Sequence, residues 1–226
     1  MKLSKRLQAI YDMVPGGILA DVGSDHGKLV ISLFENGVIS KGYAIENKEG
    51  PYKRLVANIK KHHLLDDVIP MFSDGISELP SDVDVVVIAG MGGHLIINIL
   101  ESHPEKLTNV KSIVVDAHNS VDKVRKSIVS LGYFIKDEKV VFEDDIYYEI
   151  IRFDKGESKS LDELDYEFGP ILRREKSDLF RQKYQTMLVD LKTLLSKDNL
   201  PQTRRDEINR QIERLESVLW TPDECY

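Results

Sequence analysis

The stretch Ala20-Asp21-Val22-Gly23-Ser24-Asp25-His26-Gly27 follows an apolar run, Ile18 to Val22, and precedes a helical pattern. A strand that turns through a glycine-bearing loop into a helix is the opening unit of an α/β sheet, whose ligands bind at the carboxyl ends of the strands. The glycine spacing here is not that of the dinucleotide fingerprint. Gly-x-Gly-x-x-Gly lets backbone amides approach a pyrophosphate, whereas Ser24 and Asp25 follow Gly23 and the next glycine is Gly27. A carboxylate at Asp25 repels a phosphate. It suits a cofactor that lacks phosphate and carries positive charge, and S-adenosyl-L-methionine, with its sulfonium and ammonium groups, fits beside Asp21 and Asp25. The alternative is structural: Asp21 ends a strand and Asp25 caps the helix that begins near Gly27.

Working outward, Val/Ile-rich runs recur at Gly42 to Ile45, Val68 to Phe72, Val83 to Ala89 and Ser112 to Val115, separated by helical patterns. Runs apolar on both faces suit strands covered by helices on each side. Two further runs, Phe134 to Phe142 and Ile146 to Phe153, have no helix between them, and Glu143-Asp144-Asp145 reads as their turn. The expectation is an α/β fold with a seven-stranded, mostly parallel, doubly wound sheet closed by an antiparallel hairpin.

Two carboxylates after strands two and three extend the site. Glu46 stands where an acidic residue accepts hydrogen bonds from the ribose of an adenosine cofactor, and Asp74-Gly75 offers an acceptor for an adenine amino group with room for the ring. Strand four ends in Ile88-Ala89-Gly90-Met91-Gly92-Gly93-His94, where three glycines in four residues mark unusual dihedrals or close ligand approach. An Asn/Asp-Pro-Pro-aromatic motif, common in methyltransferases acting on exocyclic amines, is absent there, which points to another target atom.

Leu3-Ser4-Lys5-Arg6-Leu7, Ala20 to His26, Gly50-Pro51, Ile88 to Gly93, Tyr148-Glu149-Ile150 and Phe168-Gly169-Pro170 together resemble the bacterial tRNA (adenine-N1)-methyltransferases that modify adenine 22, the TrmK family. The resemblance covers nearly the whole chain. It implies a class I, Rossmann-like, S-adenosylmethionine-dependent methyltransferase, with Asp21, Gly23, Asp25, His26, Glu46, Asp74, Gly75, Gly90, Met91 and Gly92 around the cofactor and Ser24 in the same loop. It also implies a tRNA substrate. Adenine N1 has an in-plane lone pair and no proton, so no base is needed before attack, and positioning dominates. A carboxylate near the base stabilises the developing cation; that role is assigned to Asp25, with His26 orienting the loop or contacting the base. N1 lies on the Watson–Crick edge, so the target must be unpaired or flipped out; Met91, Tyr11 and Tyr148 are candidates to pack on it, a core role being the favoured alternative for each singly. One departure stands out: many similar sequences carry Gln-Pro-Asn after strand five, where this chain reads Asp116-Ala117-His118-Asn119.

Strand signals stop after Phe153. Residues 154–169 are polar, with Gly156 and Gly169, and read as a linker or short docking segment. Then Phe180, Tyr184, Met187, Leu191 and Leu194, and again Ile208, Ile212, Leu215 and Leu219, recur at spacings of three and four, giving an a/d seam on each of two helices broken at Lys197 to Pro201. The expected organisation is a cofactor-binding domain over residues 1–154, then a linker and coiled-coil-like antiparallel helical hairpin over 155–226 serving as a tRNA-binding appendage. A monomer is expected, a dimer through the hairpin being the alternative.

The 226 residues carry a net charge of −7, which by itself argues against a nucleic-acid partner. The charge is uneven. Residues 171–214 hold 11 basic residues against seven acidic, and 41–63 hold six against two. These segments, with the N-terminal helix, are the expected basic faces for tRNA. No stretch approaches the roughly 18 apolar residues of a membrane span, and Lys2, Lys5 and Arg6 lack a following apolar region, so a cytoplasmic protein is expected. The only cysteine, Cys225, allows neither an internal disulfide nor a cysteine-rich zinc site, and His26, His118 and His62-His63 lack ligand-spaced partners, so no metal is expected. Two rivals share parts of the pattern: an NAD(P)-dependent oxidoreductase on a Rossmann-like sheet, against which the glycine spacing and Asp25 count, and a noncatalytic coiled-coil adaptor.

Overall fold

The computed structural model describes residues 2–197 and 200–220; Cys225, and Asp198 and Asn199 of the break between the last two helices, lie outside the described residues. The apolar runs form β1 (Gly17–Val22), β2 (Ile39–Glu46), β3 (Val68–Phe72), β4 (Val85–Met91), β5 (Ser112–Ala117), β6 (Tyr133–Glu143) and β7 (Ile146–Lys155) in one sheet of order β3-β2-β1-β4-β5-β7-β6. The first five run parallel, and β7 is antiparallel to both β5 and β6. Asp144 and Asp145 join β6 to β7 with φ of 51° and 60°, the paired left-handed geometry that matches the twist of a two-residue hairpin.

The chain winds outward from β1 to β3 and then crosses to β4, so the loops after β1 and β4 diverge at the centre of the sheet. That divergence opens a crevice at the carboxyl ends of the strands. One sheet face is covered by α1 (Lys5–Met13), α2 (Lys28–Glu35) and α3 (Glu49–Lys61), through Ile10, Leu33, Leu55 and Ile59. The other is covered by α4 (Gly93–Glu101) and α5 (Val121–Ser130), through Ile96, Leu100, Val124 and Ile128. With helices on both faces, β4 and β5 are buried throughout their Val/Ile runs, and their uninterrupted apolar sequence follows from that.

Two expectations need correction. Of the two readings for residues 154–169, the short docking segment holds and the linker does not: β7 continues to Lys155, and α6 (Glu163–Phe168), whose Tyr166 carbonyl accepts from Arg125, begins at a reciprocal cap in which Asp162 accepts from the Asp165 amide and Asp165 from the Asp162 amide. A second short helix, α7 (Pro170–Glu175), follows directly. The seam of α8 (Asp178–Leu195) also differs. Phe180, Tyr184 and Leu188 are buried, whereas Met187 is 41% exposed, because the face that meets Phe168, Val140 of β6 and the next helix follows i, i+4 steps. On α9 (Gln202–Trp220) the expected Ile208, Ile212, Leu215 and Leu219 are buried, joined by Val218. Arg205, early in α9, donates to the carbonyl of Leu195 at the end of α8, which fixes the antiparallel order.

The C-terminal helices are tied to the sheet by a buried ionic group. Arg125 of α5 is fully buried and donates to Glu138 Oε1 of β6 at 2.8 Å, to Glu149 Oε2 of β7 at 2.6 Å and to the Tyr166 carbonyl of α6 at 3.0 Å. Tyr184 Oη donates to Glu149 Oε1 at 2.7 Å, Lys183 pairs with the same oxygen, and the Ile171 amide donates to Glu138 Oε2 at 2.9 Å. Burial alone raises the Glu149 carboxyl, but Lys183 and Arg125 hold it down at about 2.

Candidate active site

The crevice holds two cavities that meet. The outer one, about 590 Å³, is lined by Glu46, Asp74, Gly75 and the turn Gly90-Met91-Gly92. The inner one, about 270 Å³, runs from Asp21, Ser24 and His26 towards Arg6, Leu7 and Ile10 of α1. Gly23, Asp25 and Ala89 line both. All eleven residues singled out in the sequence therefore lie around one crevice.

The loop after β1 is held by backbone and by charge. The amides of Gly23 and Ser24 both donate to the carbonyl of Ile45 on β2, at 2.9 and 3.1 Å. Gly23 has φ of 79°, a left-handed conformation that favours glycine, and the Met91 methyl occupies the space a Cβ would take. Asp21 is buried at the strand end and accepts from the Ser24 hydroxyl. Burial pushes its carboxyl up to about 6 despite that hydrogen bond, so a cation beside it would be met by a group eager for a counter-charge. The helix-capping alternative for Asp25 does not hold. The cap of α2 is Gly27, in the left-handed conformation and with no side chain to accept, while Asp25 faces Arg54 at 3.3 Å and His26 at 3.4 Å and is largely exposed.

Glu46 is buried and preset. Its Oε1 accepts from the amides of Asn47 and Lys48 at 3.0 and 2.9 Å, which leaves Oε2 for a ligand. Asp74 has one oxygen, Oδ1, occupied by the Asn47 amide group at 2.9 Å. At Gly90 the β4–β5 register slips and φ is 75°; a Cβ there would stand 2.8 Å from an Arg6 nitrogen. This is a bulge that turns the chain out of the sheet into the crevice. Of the aromatic candidates, Tyr11 packs against the core beneath α1, and Tyr148 lies under Arg6, whose guanidinium carbon is 4.6 Å above the ring centroid.

One lining residue, Arg6, was missed in the sequence, and Asp116, noted there only as part of the departure at 116–119, is the buried carboxylate that it meets. Arg6 enters from α1, where the Lys5 and Arg6 amides are anchored on Glu143, and its Nε donates to Asp116 at the end of β5. The sequence signal for Arg6 was its membership in the Leu3 to Leu7 motif, and that for Asp116 was the departure at 116–119. The Asp116-Ala117-His118-Asn119 departure thus forms the wall behind Gly90, with the His118 amide on the Met91 carbonyl at 2.9 Å and Asn119 Oδ1 accepting from the Gly93 amide at 3.1 Å. Among the described residues no group of three His, Cys, Asp or Glu is placed to hold a metal ion.

Comparison with known proteins gives this geometry a family. Residues 19–217 match the family model described as TrmK: tRNA (adenine(22)-N(1))-methyltransferase. The chain belongs to the TrmK family. A curated tRNA (adenine(22)-N(1))-methyltransferase of Bacillus subtilis is 29% identical over 218 residues, spanning 93% of this chain and 91% of the relative. A Streptococcus pneumoniae protein solved in complex with S-adenosyl-L-methionine superposes with a TM-score of 0.90 at 35% identity, covering 96% of this chain and 100% of that one. Mycoplasma capricolum TrmK, solved with S-adenosyl-homocysteine, gives 0.87 at 26% identity over 97% and 98% of the two chains. Both superpositions extend over nearly the whole length of the two chains and carry the seven-stranded, mostly parallel sheet of this fold.

Proposed function

We propose that this chain transfers a methyl group from S-adenosyl-L-methionine to N1 of an adenine in tRNA, adenine 22 by the description of its family. The observation that carries this is the junction of two cavities at Gly23, Asp25 and Ala89, one with the carboxylates and glycines an adenosine cofactor needs, the other open towards α1. Glu46 Oε2 takes the ribose hydroxyls, Asp74 and Gly75 frame the adenine, and Asp21 and Asp25 face the cationic end. When bound, the cofactor supplies an electrophilic methyl group. The chain's own part is to present N1 in line, exclude water and steady the positive charge that appears on the base. Unmodified tRNA, labelled cofactor and mass-spectrometric mapping of the product test this directly; label confined to another base, or absent from RNA while the cofactor binds, would overturn it.

Glu46→Ala removes a charged acceptor from the ribose. Its cofactor dissociation constant should rise about 10- to 100-fold, the worth of a charge-assisted hydrogen bond. Titration calorimetry reads this, and an unchanged constant sinks the ribose role.

For the RNA face, the helix after β2 has stronger support than the hairpin. Many hairpin cations are engaged within the chain: Lys183 with Glu149, Lys192 with Glu216, Arg204 with Glu207, Arg214 with Glu167. Lys28, Lys60 and Lys61 are exposed and have no ion pair among the described residues, and Lys28 and Lys61 line a shallow concavity beside His26. We place phosphate contacts there. The tRNA affinity should fall steeply with salt, and Lys60→Glu with Lys61→Glu should flatten the log–log slope by about 2; an unaltered slope would move the RNA elsewhere.

Residues 155–226 are proposed as an appendage to a cofactor-binding domain of residues 1–154, packed onto it through Arg125, Glu138 and Glu149. Its apolar seam is filled within one chain, by Phe168, Phe180, Leu188, Ile208 and Leu215, which favours a monomer. Among the described residues no helix is long and apolar enough to cross a membrane.

A further inference from the structure

Arg6 lines the inner cavity, yet the protein engages its guanidinium by one edge and one face. Nε donates to Asp116, and the guanidinium carbon stands over the Tyr148 ring, itself met edge-on by His118 with ring centroids 6.3 Å apart. The terminal nitrogens point past Gly90, whose lack of a Cβ leaves them room. Asp116 is fully buried, and its Oδ1 is the one buried side-chain oxygen without a hydrogen-bond partner among the described residues. Packing alone gives no reason for a carboxylate at this place, since a neutral amide could also accept from Nε.

Charge gives one. Methylation at N1 leaves the adenine ring system positive, and a bare guanidinium beneath it would oppose that change. A guanidinium cancelled by a buried carboxylate would not. Its flat open face is also the kind of surface on which an extruded base stacks, as guanidinium planes do in RNA recognition.

We propose that Arg6, laid on Tyr148 and held by Asp116, is the platform on which the target adenine stacks, and that Asp116 is a positioning residue that neutralises this platform. The proposal rests on the methyltransferase reading above and adds to it the acceptor subsite. It gives the departure at 116–119 a role on the acceptor side of the crevice.

Steady-state kinetics of purified variants with unmodified tRNA test it. Asp116→Asn leaves Arg6 charged, so kcat should fall about 100-fold with KM for tRNA within about threefold, because the penalty arises only as the base becomes cationic. Adding Arg6→Gln to Asp116→Asn restores a neutral, flat pair, and kcat should recover about tenfold over Asp116→Asn alone. A purely structural pair predicts no recovery, and a double variant as slow as Asp116→Asn overturns the proposal. Arg6→Lys, on a partly exposed side chain, keeps the fold and the charge but loses the flat face. Its kcat/KM should drop about 30-fold while the cofactor dissociation constant stays unchanged; wild-type kinetics for this variant would equally overturn the platform. If the wild-type protein itself places no methyl on adenine, the methyltransferase reading fails instead, and the two failures are separate.

Discussion

Arg125→Met should lower the free energy of unfolding by about 3–5 kcal/mol, the usual cost of removing one partner from a buried ionic group. The side chain is fully buried, and its guanidinium joins Glu138, Glu149 and the Tyr166 carbonyl. Methionine fills much of the volume but strands Glu138, whose remaining partner is the Ile171 amide. Arg125→Lys keeps the charge and loses the fork, so its loss should be smaller. Urea unfolding at neutral pH measures both, and a loss under about 1 kcal/mol for Arg125→Met would show that the carboxylates find other partners. The same group sets an acid limit. Glu149 is held at about 2 against an ordinary value of 4.5. Its contribution is therefore complete above the ordinary value and is lost as pH falls towards 2.

Asp25→Ala should leave the fold intact and reduce kcat about 10²- to 10³-fold, the scale seen when one preorganised electrostatic group is taken from a transition state. Asp25 borders both cavities, and its exposed carboxylate makes only a 3.3 Å contact with Arg54 and a 3.4 Å contact with His26, so its removal uncovers no core. In the free protein, water screens it. On the proposed reading, filling of the two cavities by cofactor and base would remove that water and leave the carboxylate to act at short range on the charge appearing at the base. Asp25→Asn should lose nearly as much, since it keeps the shape and removes the charge. Near-normal turnover for either variant, with the thermal midpoint unchanged, would take Asp25 out of the chemistry.

The sheet was legible because helices on both faces force the middle of β1, β4 and β5 to be apolar on both sides, a pattern readable without knowing the neighbours. That Asp21, Glu46 and Asp74, proposed for the cofactor, gather around one crevice was legible for a related reason: each is fixed by position at or just after a strand end, a local property. The pairing of Arg6 with Asp116 was not. Arg6 and Asp116 meet across 110 residues, and nothing in either segment alone announces the pairing. Likewise the choice of Leu188 over Met187 depends on how α8 is turned against Val140 and Phe168, a contact that spacing along one helix does not encode. The helix α6 was a different kind of miss. Its reciprocal Asp162 and Asp165 cap is local and stood in the sequence, masked by the polar composition around it.

The ionic group at Arg125 also sets an order in time. Its members arrive from the ribosome at positions 125, 138, 149, 166, 171, 183 and 184, the last of them well after β7 is complete. Until Lys183 and Tyr184 emerge from the exit tunnel, Glu149 lacks two of its partners and Val140 lacks its cover from the C-terminal helices. A nascent chain whose first 170 or so residues have emerged would thus hold every strand and the whole crevice and still expose a charged, unfinished sheet edge to chaperones and proteases.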